Sequence, residues 1–132
     1  MEQRDYLMRQ VEQLGLVLEK IFSKLLNLKD NSIESIVAVN QVFTEELGFD
    51  MTQINDEKWI DILKNKMNFD NVNLEKLADI FLFIAENNLT NERDQLYQKC
   101  LIIYQYLEKS TRTYSFERNF KIKNLCRYYG FE

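Results

Sequence analysis

The sequence predicts an all-α protein: a single domain built as an antiparallel bundle of five or six helices. Three observations lead there. Apolar residues recur at steps of three and four along the chain, and no stretch alternates with the period of two that a strand requires. Proline is absent from all 132 residues, so nothing forces a helix to break internally. Short polar clusters separate the apolar segments, and connections of that length favour antiparallel neighbours. With 45% hydrophobic residues the chain has ample material for one core, burying roughly two thirds of its unfolded surface.

The first helix is expected over residues 2–28. Leu7, Val11, Leu14, Leu18, Ile21, Leu25 and Leu28 form a stripe of alternating four- and three-residue steps lasting three heptads. Tyr6, Met8, Val17, Phe22 and Leu26 widen the apolar surface beyond a narrow coiled-coil seam. Asn31 and Glu34 are spaced as a capping box for a second helix carrying Ile33, Ile36, Val37, Phe43 and Leu47. Gly48 stands where a left-handed C-cap is expected.

Residues 50–56 are polar. Trp59, Ile60, Ile62, Leu63 and Met67 then mark a shorter helix, and residues 68–73 form a turn cluster with Asn73 as the expected N-cap of the next helix. Residues 74–86, LEKLADIFLFIAE, are apolar on nearly every face, so that helix is expected to be central and packed on two sides. After a connection at 87–91, residues 92–109 place Leu96, Tyr97, Cys100, Leu101, Ile103, Tyr104 and Leu107 on one face, with Tyr106 off it and exposed. The last helix is expected over about 115–129, capped by Thr113 or Ser115.

Composition excludes several chemistries. With no histidine there is no Ser-His or Cys-His nucleophile, no imidazole metal ligand and no imidazole pH switch. Three glycines write no phosphate-binding loop. The adjacent acids Glu45/Glu46 and Asp56/Glu57 would point about 100° apart on a helix and share no site. Asp79, set in the most apolar helix, reads as an exposed or ion-paired acid rather than a catalytic base. No enzyme and no cofactor is expected. Cys100 and Cys126 lie in apolar helical contexts and read as free buried thiols, with a disulfide between them as the alternative. Charges interrupt every apolar run well short of about 18 residues, and the N-terminal segment has no signal-peptide core, so a cytoplasmic protein is expected.

The net charge of −4 is unevenly distributed. Residues 1–108 carry 11 Lys/Arg against 19 Asp/Glu, whereas residues 109–132 carry six against two. The basic segment 109–127 holds Arg112, Arg118, Lys121, Lys123 and Arg127 among Tyr114, Phe116 and Phe120, the mixture that contacts phosphates and stacks on bases. Spacing favours a structural use instead. Phe116 and Phe120 are four apart, share a face and are expected to anchor the helix; Glu117 and Lys121 make an i,i+4 pair. Ile122, Leu125, Cys126 and Tyr129 make a second apolar arc that includes Arg118, which then needs an inward carboxylate partner. The cations complement the acidic body, and Arg112, Tyr114, Lys121 and Lys123 remain as the candidate interaction surface.

Two resemblances add to this. The run LYQKCL at 96–101, with Leu77, Ile80 and Ile84 upstream, resembles a tetratricopeptide-repeat hairpin over 74–109. Phe81 stands where that repeat has Gly or Ala, Arg93 where it has Ala, and no proline closes the unit. The hairpin covers about a quarter of the chain, and arrays of this kind need about three units. The segments MEQRDYLMRQVEQLG and TYSFERNFKI also resemble a family of small, uncharacterised bacterial helical proteins with repeat-like character and no assigned activity. Together these point to a non-enzymatic protein–protein interaction or scaffolding module, self-associating as a homodimer through Leu7, Val11, Leu14, Leu18, Ile21 and Leu25. The alternative is nucleic-acid or phospholigand binding through 109–127.

Overall fold

A computed structural model describes residues 2–27, 40–41, 43–48, 58–86, 93–111 and 115–129. Every regular element among them is an α-helix: α1 (Glu2–Asn27), α2 (helical at 40–41 and 43–47), α3 (Lys58–Lys66), α4 (Asn71–Glu86), α5 (Arg93–Ser110) and α6 (Phe116–Tyr129). The capping box at Asn31 and Glu34, the apolar positions Ile33, Ile36 and Val37, the polar stretch 50–56, the connection 87–91 and Thr113 lie outside the described residues.

The core is centred on α4, which buries Leu74, Leu77, Ala78, Ile80, Phe81, Ile84 and Ala85. A helix with so little polar surface must be covered from several sides, and α4 packs against both α1 and α5, as its composition predicts. From α1 the lower part of the heptad stripe, Leu18, Ile21 and Leu25, enters the core. From α5 come Leu96, Tyr97, Cys100, Leu101, Ile103, Tyr104 and Leu107, the face its spacing predicts. Phe43 of α2 is fully buried and stacks on Phe81, with ring centroids 6.0 Å apart. That helix ends as expected. Gly48 has φ 78°, a left-handed conformation in which a side chain is strained, and its N–H donates to Thr44 O at 2.9 Å.

The start of α4 differs from expectation. Asp70, not Asn73, is the N-cap: its Oδ1 accepts the Asn73 N–H at 2.8 Å, so the helix begins one turn early. This frees the Asn73 side chain, which is almost fully buried, to donate to Val11 O of α1 at 3.0 Å. Gly15 makes room for it. A Cβ at Gly15 would stand 3.1 Å from Asn73 Oδ1 and 3.3 Å from Lys76 Nζ. Ascending α1, the partners on α4 ascend too, from Val11 with Asn73, through Glu19 with Lys76, to Phe22 with Phe83. The two helices therefore run in the same direction.

Tyr106 is half-buried rather than exposed. Lys64 of α3 donates to its hydroxyl at 2.9 Å and lies 5.2 Å from its ring centre, an attraction that draws the aromatic face inward. A larger correction concerns α6. Phe116 and Phe120 do not anchor it, being 76% and 58% exposed. Ser115 caps the helix, accepting the Arg118 N–H at 3.2 Å, and the inward face is the arc of Arg118, Ile122 and Leu125. The two phenylalanines stand about half a turn from that arc and so point outward.

Phe81→Ala should lower stability by about 3–5 kcal/mol, because a fully buried ring is removed from a site that collapses only partly. Phe116→Ala should change it by less than about 0.5 kcal/mol. Paired chemical-denaturation curves read by circular dichroism check both.

Candidate functional site

The side of α4 that is not buried carries Glu75, Lys76 and Asp79, and there α1 and α6 meet it through ions. Arg118 of α6 is 11% exposed at its side chain. Its Nε and Nη2 both reach Glu75 Oε2, at 3.0 and 2.6 Å, and its Nη1 reaches Glu108 Oε1 of α5 at 3.2 Å. One guanidinium thus ties three helices, a task its fixed fork of donors suits better than an ammonium would. The inward-paired arginine is the arrangement its spacing predicts.

One turn further on, Lys121 Nζ contacts Asp79 Oδ1 at 3.0 Å and lies 5.5 Å from the centre of the Tyr104 ring. Lys121 therefore serves Asp79 rather than Glu117, because the half-buried carboxylate offers a stronger field than an exposed one. Asp79 Oδ1 also accepts the Tyr104 hydroxyl at 2.5 Å. Burial, with the neighbouring Asp79 charge, raises the Tyr104 pKa well above its ordinary value, so the phenol stays protonated and donates. Burial likewise raises the Cys100 thiol, whose Sγ contacts Ala78 O at 3.4 Å. Cys100 and Cys126 are both free thiols. On its other side, Asp79 forms part of the wall of a cavity of about 380 Å3 between α1 and α4.

Of the residues proposed as an interaction surface, Lys121 and Lys123 do not share a face. Lys121 points at α4, whereas Lys123 is exposed about half a turn away. Arg112, Tyr114 and the side chain of Arg127 lie outside the described residues. Beside Lys123 the outer face of α6 shows Phe116 and Phe120. The self-association stripe is divided along α1. Leu18, Ile21 and Leu25 are consumed by the core, Val11 and Leu14 are half-buried, and Leu7 is exposed beside Tyr6 and Met8.

The Tyr104–Asp79–Lys121 cluster escaped the sequence reading. Its signal was a pair of complementary steps. Glu75 and Asp79 lie four apart on one helix, and Arg118 and Lys121 three apart on another, so each pair projects charges from one face. Among the described residues, no group of three or more Cys, Asp or Glu is arranged to hold a metal ion.

Arg118→Met should cost about 2 kcal/mol by leaving Glu75 and Glu108 half-buried without their cation, somewhat below the roughly 3–5 kcal/mol of a fully buried pair; thermal denaturation measures it. Tyr104 also sets a pH dependence. Its pKa is raised in the folded state, so its contribution is fully present below the unfolded value of about 10 and declines above it as the unfolded phenol ionises. Tyr104→Phe should flatten the loss of stability above about pH 10, read as melting temperature against pH.

Comparison of the chain with family models, with curated proteins and with solved structures returned no match.

Proposed function

We propose that this chain is a protein–protein interaction or scaffolding module of the bacterial cytoplasm rather than an enzyme. In this reading α4 and α5 pair antiparallel, and 74–109 form a tetratricopeptide-repeat-like hairpin. The observation that carries the proposal is apolar surface left outside a well-filled core. Tyr6, Leu7 and Met8 of α1 are 62%, 48% and 54% exposed, and Phe116 and Phe120 of α6 are more than half exposed. Clustered apolar side chains on a water-facing helix mark contact surfaces more often than isolated ones do.

Self-association through α1 is part of the same proposal, narrowed to the outer half of its stripe. Leu7, Val11 and Leu14 continue the heptad line of Leu18, Ile21 and Leu25 beyond the part the core uses, and Tyr6 and Met8 flank it. Asp5, Arg9 and Glu12 border this stretch with charges of both signs, as a surface that meets a copy of itself requires. No helix among the described residues is long and apolar enough to cross a membrane.

Nucleic-acid or phospholigand binding through 109–127 is the second reading, favoured by the exposure of Phe116 and Phe120 beside Lys123. Against it, Arg118 and Lys121 are neutralised by Glu75, Glu108 and Asp79. A polyanion therefore meets few uncommitted cations on this helix.

Sedimentation and light scattering should show a concentration-dependent dimer that Leu7→Glu converts to a monomer of unchanged helicity. A monomer at all concentrations that retains no protein partner on affinity capture counts against the module. Saturable, salt-sensitive binding of single-stranded DNA, weakened by Phe120→Ala, would favour the second reading.

A further inference from the structure

The cavity between α1 and α4 is a different site from either apolar surface above, and it has chemistry of its own. Its floor and one wall are Leu18, Ile80 and Phe22, with Phe22 held edge-on to Phe83 at a centroid distance of 5.5 Å. Leu18 and Ile80 are core residues with almost no exposure, so the floor is fixed rather than filled by mobile side chains. At about 380 Å3 it falls at the lower end of the range for small-molecule sites, and an engineered cavity of about 150 Å3 already accepts benzene.

Glu19, Lys76 and Asp79 add charge to this largely apolar space, and Asp79 is the carboxylate fixed from outside it. Asp79 Oδ1 is engaged twice, by the Tyr104 hydroxyl at 2.5 Å and by Lys121 at 3.0 Å. No described residue donates to its Oδ2. At the rim, Lys76 is drawn across to Glu19 at 2.9 Å, so the nearest cation on the same helix serves the opposite wall instead of Asp79. The result is an oriented anion with one open oxygen beside an aromatic wall and an aliphatic floor. Its two fixed partners hold the carboxylate in place before any ligand arrives, which lowers the ordering cost of binding.

We propose that this cavity binds a small amphipathic ammonium ligand, its apolar body on Leu18, Phe22 and Ile80 and its charged head on Asp79 Oδ2. A primary ammonium matches both halves of the site. Its N–H donors supply the charge-assisted bond the open oxygen lacks, and the Phe22 ring in the lining adds an aromatic surface of the kind that attracts cations. A carboxylate ligand meets Asp79 and Glu19 as like charges, while Lys76, the cation among the lining residues, is already engaged by Glu19, so the carboxylate is rejected.

The test is an amide chemical-shift titration at neutral pH with 2-phenylethylammonium, 2-phenylethanol and phenylacetate as probes. The ammonium should give saturable shifts concentrated around residues 18–23 and 76–80. The alcohol should bind about tenfold more weakly, because its hydroxyl donates to the carboxylate without bringing a positive charge, and the carboxylate should not bind. Asp79→Asn should abolish the preference for the ammonium. Ser23→Trp, at an exposed position on the cavity rim, should block all probes while leaving the fold intact. Equal affinity for ammonium and alcohol, unchanged binding in Ser23→Trp, or no saturable shift at millimolar ammonium overturns the proposal. None of these results depends on whether the chain has a protein partner.

Discussion

The structure depends on how α4 is covered. This helix buries a nearly continuous apolar surface, and only the side bearing Glu75, Lys76 and Asp79 reaches solvent. A helix of this kind gains little by itself; its stability is that of the neighbours it recruits. On its apolar sides α1 and α5 do this by burial. On its polar side the covering is ionic, with Glu75 bound to Arg118 and Asp79 to Lys121. The ionic contacts contribute less net free energy than the same area of packed side chains would, since each charge gives up water to form them. What they add is registration. Two acids one turn apart accept two cations one turn apart in one alignment of α6 and no other.

That division explains the odd composition of α6. A helix held mainly by burial would turn its phenylalanines inward. This one turns Arg118 inward with Ile122 and Leu125, because the α4 side it approaches is the acidic one. Two of the six cations in the last part of the chain, Arg118 and Lys121, are thereby paired with acids of the rest. Phe116 and Phe120 are left facing water as a result of that alignment.

Much of this was legible in the sequence, for identifiable reasons. The α1 stripe, the central character of α4, the buried face of α5 and the Gly48 cap are local patterns, each fixed by periodicity or by one backbone conformation. The inward Arg118 was legible because an arginine inside an apolar arc demands a carboxylate. Phe116 and Phe120 misled because their spacing shows that they share a face, not which way it turns. Tyr106 was misplaced because its partner, Lys64, is 42 residues away. Asn73 and Asp70 are both good caps, and the choice was made by Val11 and Gly15 on another helix. The Asp79 cluster joins three helices through single side chains, and no local pattern encodes that.

The shared direction of neighbouring helices has an electrostatic consequence. Arg118 meets Glu75 and Lys121 meets Asp79, so α6 ascends beside α4, as α1 does. Three peptide dipoles therefore point one way, each contributing about half a positive charge at its first turn and half a negative one at its last, and α5, which descends beside α4, opposes one of them. The described helices α1, α4, α5 and α6 together keep a net backbone polarity along the α4 axis. The end where α4 and α6 begin is the more inviting to anions, and the end where α1 and α4 finish is the more inviting to cations.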